Sequence, residues 1–126
     1  MTFPLFLLMI VAGGAGASVR YVVDGMIKAK TSRSAFPWST AIINMTGSLV
    51  LGFLTGLVVG DLASSDVSAV IGTGFLGGYT TFSTASYEAV TLVRERRYGL
   101  AAAYGFGVLA ATIALALLGY VWGKSL

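Results

Sequence analysis

The chain contains no cysteine and no histidine. Without cysteine there is no disulfide frame and no thiolate metal site. Without histidine, the commonest metal ligand and the usual base near neutral pH are both missing. Hydrolytic and metal-centred chemistry therefore start from a poor set of residues, and the chain is expected not to be an enzyme. Charge is scarce as well. Only 10% of the residues are Asp, Glu, Lys or Arg, against about 25% in an average soluble domain. The net charge of +3 comes from two short basic clusters at the ends of apolar stretches, so no nucleic-acid partner is expected. No nucleotide-binding loop is present. What fills the chain is apolar sequence, at 56% hydrophobic residues and a mean hydropathy of +0.86. That composition belongs to an integral membrane protein.

A helix needs about 20 apolar residues to cross the hydrocarbon core. Four stretches of the 126-residue chain are long enough: Phe3 to Val23, Pro37 to Gly60, Val67 to Val93 and Tyr98 to Gly123. The apolar start, Met1–Gly13, lacks a basic leader and is expected to be part of a retained span and not a signal peptide. Pro37 suits a helix start. The connections Asp24–Phe36, Asp61–Asp66 and Arg94–Arg97 are short enough to make successive spans antiparallel. The expectation is an all-α membrane protein, with residues 1–126 forming one domain of four transmembrane helices.

Small residues recur at a spacing of four: Gly52, Gly56 and Gly60 in the second span, and Gly99, Ala103, Gly107 and Ala111 in the fourth. Such faces let helix backbones approach closely. The charges are distributed unevenly. Lys28, Lys30 and Arg33 lie in the first connection and Arg94, Arg96 and Arg97 in the third, on one side of the membrane. The other side has Lys124 and the acids Asp61 and Asp66. The positive-inside rule places the basic connections in the cytoplasm, with both termini outside.

The third span carries the stretch Gly77-Gly78-Tyr79-Thr80-Thr81-Phe82-Ser83-Thr84. Adjacent glycines weaken a helix by roughly 1 kcal/mol each relative to Ala. The spacing predicts a broken helix at membrane depth, where open backbone is tolerated only under cover of protein or water. Other polar groups lie inside the spans. Asn44 offers two amide N–H donors, or an interhelical hydrogen bond. Arg20 is placed to bind an anion, to snorkel or to tie helix ends together. Glu88 reads equally as a proton or cation site, a partner for Arg94 or Arg20, or a cap. Tyr104 and Thr112 share a face of the fourth span and, with Asn44 and Ser83, form a candidate polar track. The ring edge of Phe82 carries positive quadrupole charge. Ring edge, amide and hydroxyls suit a small anion; freed carbonyls suit a bare cation such as Na+.

Three motifs resemble the Fluc/CrcB fluoride channel family: Gly13-Gly-Ala-Gly-Ala-Ser-Val-Arg-Tyr21, Pro37-Trp-Ser-Thr-Ala-Ile-Ile-Asn44-Met-Thr-Gly47, and the run from Gly77 to Thr84. The likeness covers all four spans in order. It implies an antiparallel dimer with fluoride pores along the subunit interface, in the cell membrane of a prokaryote. It also implies a structural Na+ on backbone carbonyls, for which Gly77 and Thr80 are the matching positions. The fluoride pathway would take in Asn44, Phe82, Ser83, Thr84, Tyr104 and Thr112. One position departs from the family pattern: Ala85 stands where a second phenylalanine follows Ser-Thr. Together with the charge bias, this leads to the expectation that the chain pairs with an oppositely oriented homologue. A different class of function, a small proton-coupled exporter of cationic drugs, would use Glu88 as its one buried carboxylate but leaves the broken span unexplained. A third, an assembly protein without transport, would use every polar group as glue between helices.

Overall fold

The computed structural model describes residues 2–126 and is all-helical, with no strand among the described residues. Helix α1 spans Phe3–Thr31; the Thr2 hydroxyl accepts from the Leu5 N–H at 3.3 Å, and a proline sits in its first turn. It outruns the predicted first span, because nothing from Asp24 to Thr31 breaks a helix and Lys28 and Lys30 complement its C-terminal dipole. Helix α2 spans Trp38–Val59, with Pro37 just before it. Helix α3, residues 65–79, begins at a Ser64 cap whose hydroxyl accepts from the Val67 N–H at 3.1 Å. It widens to i→i+5 bonding over Ser68–Leu76 and closes with Gly77–Tyr79. Helix α4 spans Ser83–Arg94. Helix α5 spans Tyr98–Lys124, with a second wide turn at Ala103–Gly107. Among the described residues, three helices are long and apolar enough to cross a membrane: α1, α2 and α5. The predicted third span corresponds to the two shorter helices α3 and α4, divided at Thr80–Phe82.

Two close helix pairs hold the molecule together. α2 lies along α5, and α1 lies along α3. At Gly52, a Cβ would run into the Ala116 carbonyl, and at Gly56 into that of Tyr120. On the facing helix, a Cβ at Gly119 would strike the Leu49 carbonyl and one at Gly123 the Phe53 carbonyl. The second-span stripe therefore packs as expected at Gly52 and Gly56. The fourth-span stripe does not: Gly99 and Gly107 face open space. The packed face of α5 lies further along, at Ala116, Gly119 and Gly123, where the Phe53 and Trp122 rings meet at a tilt of 44° with centroids 4.5 Å apart. Spacing alone could not distinguish two overlapping small-residue registers on one helix.

Between α1 and α3 the same device recurs. A Cβ at Gly16 would enter the Phe75 carbonyl, and one at Gly78 the Gly13 carbonyl. The glycine pair of the third span thus has a different use from the one expected. Both glycines lie in helix, and the chain opens one turn later. Gly78 admits α1; the hydroxyl residues after it form the opening.

Candidate functional site at the helix break

α3 ends at Tyr79, and Thr80 turns to an extended conformation (φ −81°, ψ 159°). Asn44 reaches across from α2 and bonds Thr81 twice. Its Nδ2 donates to the Thr81 carbonyl at 2.7 Å, and its Oδ1 accepts from the Thr81 N–H at 2.9 Å. The Thr81 hydroxyl in turn accepts from the Thr84 N–H at 3.2 Å and so starts α4. The N–H groups that would have continued α3 are drawn elsewhere. Among the described residues, the carbonyls of Gly77, Gly78, Tyr79 and Thr80 accept no backbone N–H. Asn44, singled out as a pore donor or an interhelical glue, is seen bracing the break.

A groove of about 580 Å³ runs along the open side of α2, α3, α4 and α5. It brings together Asn44, Gly77, Thr80, Phe82, Tyr104 and Thr112. Ser83 and Thr84 do not line it; both are exposed, and the Ser83 hydroxyl lies 3.4 Å from that of Thr81. The sequence reading passed over three hydroxyl residues that do line the groove: Ser48, Thr73 and Ser86. Ser48 follows Asn44 by four positions and Ser86 follows Phe82 by four, so a helical projection from each would have found them. Phe82 is 86% exposed, with its ring on the open side of the groove. No charged side chain lines the groove, and no group of three or more Asp, Glu, His or Cys gathers among the described residues.

Hydrogen-bond accounting separates the groove's donors. The Thr112 hydroxyl donates to the Leu109 carbonyl at 2.8 Å, and that of Thr80 to the Leu76 carbonyl at 2.9 Å. Their protons are committed to the backbone, and what they present is lone pairs. Asn44 has spent one amide N–H and keeps the other. The Tyr104 hydroxyl is buried beside Thr40 and Glu88 but makes no hydrogen bond of full geometry there, although a buried polar group without a hydrogen bond is costly. Tyr104 sits in the wide turn of α5, packed with Ala41 and Leu92, with its ring edge-on to Phe36 at 5.5 Å.

One polar contact beside the groove was absent from the sequence reading. Thr40, almost fully buried at 2% exposure, donates its hydroxyl to Glu88. Neither Arg20 nor Arg94 pairs with that carboxylate, and among the described residues the one ion pair is Lys28–Asp24 at 3.1 Å. The Glu88–Thr40 contact joins α4 to α2, just as Asn44–Thr81 joins α2 to the break.

The groove is mostly apolar and holds no charged side chain; its polar groups include the Gly77 and Thr80 carbonyls at the break and the second amide N–H of Asn44. Residues 7–120 match the family described as CrcB-like protein, Camphor Resistance (CrcB). The chain is 46% identical over 119 residues to a protein of Leifsonia xyli named fluoride-specific ion channel FluC 1, covering 94% of this chain and 86% of that one. It is 54% identical over 84 residues to a protein of the same name from Ligilactobacillus salivarius, covering 67% and 68%. It is 39% identical over 125 residues to the fluoride-specific ion channel FluC of Pyrococcus abyssi, covering 98% and 99%. With the family match spanning nearly the whole chain and such similarity over nearly the full length of relatives, this multi-pass membrane protein belongs to the CrcB family.

Proposed function

We propose that the chain is a subunit of a fluoride-selective channel that lets fluoride leave the cell passively and so relieves its toxicity. The observation that carries this reading is the groove at the helix break, in a chain whose relatives bear the fluoride-channel name. Fluoride holds its water tightly, so its hydration must be replaced donor for donor. The free N–H of Asn44 and the hydroxyls of Ser48, Thr73 and Ser86 are the donors along the groove, and the Tyr104 hydroxyl lies buried behind its wall beside Thr40 and Glu88. The exposed ring edge of Phe82 would add positive quadrupole charge. Ser83 and Thr84, outside the groove, would act at its mouth. The absence of charged side chains suits conduction, because binding must stay weak enough for release. A negative interior drives a monovalent anion outward by about 2.3 kcal/mol per 100 mV, so no chemical step is needed.

Carbonyls without N–H partners each cost several kcal/mol when they face lipid. The groove must therefore be covered, and the cover we propose is a second subunit in antiparallel orientation, with the pores between the two. The carbonyls of Gly77 and Thr80 fit a hard monovalent cation, since they are neutral oxygens with no backbone donor. Na+ held there would supply fixed positive charge and bind the two broken spans together. The basic bias and Ala85 support an oppositely oriented homologue as the partner. The deciding experiment is fluoride efflux from liposomes holding the purified chain, with chloride as control. Fluoride flux without chloride flux supports the reading, and equal flux of both ions, or flux of neither, overturns it for the chain alone. Co-reconstitution with a homologue then tests the paired form.

A further inference from the structure

The end of α4 holds an arginine where a glycine would be easier. Arg96 has φ 59°, closing the helix with its N–H on the Val93 carbonyl at 3.0 Å and the Arg97 N–H on the Leu92 carbonyl at 2.9 Å. This is the left-handed position that helices usually give to glycine. Asp61 adopts the same conformation after α2, but Asp is among the residues that tolerate it and Arg is not. In a chain with 17 glycines, this strained site holds a cation. Arg94 and Arg97 flank it, and all three are exposed.

The first connection adds Lys28, Lys30 and Arg33 on the same face of the membrane, also exposed. A pocket is lined by both regions, from Lys28 to Ser39 on one side and from Tyr87 to Glu95 on the other, so the two connections adjoin; of the six basic side chains only Lys28 lines it, together with the acids Glu88 and Glu95. Among the described residues only Lys28 has a carboxylate partner. Trp38 and Tyr98 stand exposed beside the clusters at 46% and 62%, where aromatic rings mark the headgroup level.

We propose that these residues form a basic collar that binds the headgroups of anionic phospholipids in the leaflet on that face. Clusters of about 4–8 Lys and Arg next to a span attract anionic lipid. The opposite face, with Asp61, Asp66 and Lys124, offers no such surface. The collar is independent of the ion pathway.

The full chain in neutral detergent is titrated with phosphatidylglycerol or phosphatidylcholine, and thermal stability and retained lipid are measured. Phosphatidylglycerol is expected to raise Tm by about 4 °C more than phosphatidylcholine, and about 0.5 M salt to remove the difference by screening. The triple variant Arg94→Gln, Arg96→Gln, Arg97→Gln should lose at least half of the gain, and Lys124→Gln none of it. Arg96→Gly keeps the fold secure by relieving the backbone. It should raise Tm in phosphatidylcholine while reducing the gain from phosphatidylglycerol. A full gain in the triple variant or in Arg96→Gly, an equal loss in Lys124→Gln, or an equal gain from inorganic phosphate would each overturn the proposal.

Discussion

Asn44 and Thr81 satisfy each other in both directions, one amide group against one peptide unit, at 2.7 and 2.9 Å. The pair fixes where the third crossing opens. Asn44→Asp keeps the acceptor but sets a carboxylate against the Thr81 carbonyl and adds negative charge to the groove. It should cut fluoride flux at least about tenfold, and Asn44→Ala should also destabilise by about 1–3 kcal/mol through the groups left unpaired. Unchanged flux and Tm in both variants would remove Asn44 from the site.

Tyr104→Phe separates transport from folding. The hydroxyl has no partner within the protein, so its loss should leave stability unchanged or raise it by about 1 kcal/mol. Fluoride flux should nevertheless fall if the hydroxyl, buried beside Thr40 and Glu88, turns toward the groove during conduction. A variant with wild-type flux would show that the hydroxyl faces nothing that moves.

Thr40→Val is nearly the same size and removes the donor that Glu88 uses. A half-buried carboxylate deprived of its hydrogen bond should cost about 1 kcal/mol. Thr40→Ser should restore both stability and flux. If the valine variant melts like the parent, the Thr40 contact contributes nothing.

The glycine pair behaves differently at its two positions. A Cβ at Gly77 finds its nearest neighbour, the Gly72 carbonyl, at 3.9 Å, whereas one at Gly78 enters the Gly13 carbonyl. Gly77→Ala should fold normally. Gly78→Ala should lose about 1–3 kcal/mol by forcing α1 away from α3. Thermal melting in detergent reads both.

Withdrawal of Na+ tests the proposed cation. Replacing it with a large organic cation should lower Tm and weaken subunit association, since a ligand bound only to the assembled state stabilises by mass action. In the same system, Ala85→Phe fills the half-buried position beside Ala41, Leu92 and Tyr104. It should raise the flux of the chain reconstituted alone, and no change would mean that alanine is simply tolerated there.

Much of this architecture could be read from the residues. Composition identified the membrane, apolar length gave the crossings, and the hydroxyl-rich run announced the broken span. The opening at Thr80–Phe82 falls inside the predicted stretch, at its hydroxyl residues and not at its glycines. Glycine propensity is a local quantity, while Gly78 answers to the Gly13 backbone of a distant helix. Six of the eight anticipated site residues line one groove. The partner of Glu88 was hidden because Thr40 lies 48 positions away and looks like any threonine in an apolar run. The fourth-span stripe misled for the opposite reason: Gly99 and Gly107 have the right spacing but face no helix.

The opening at Thr80–Phe82 also bears on how the chain enters the bilayer. Even at the 1.5 Å per residue of an α-helix, α3 would be at most about 22 Å long and α4 about 18 Å, and neither reaches across the roughly 30 Å of hydrocarbon. α4 is moreover rich in Ser, Thr and charge. Neither rod is suited to partition into lipid unaided, so the third crossing must settle against helices already in place. α1 is synthesised before α3 and offers it the glycine-lined seat at Gly13 and Gly16, whereas α4 has to wait for α5 to emerge. Biogenesis would then end with the polar half of the third crossing as the last piece to be enclosed.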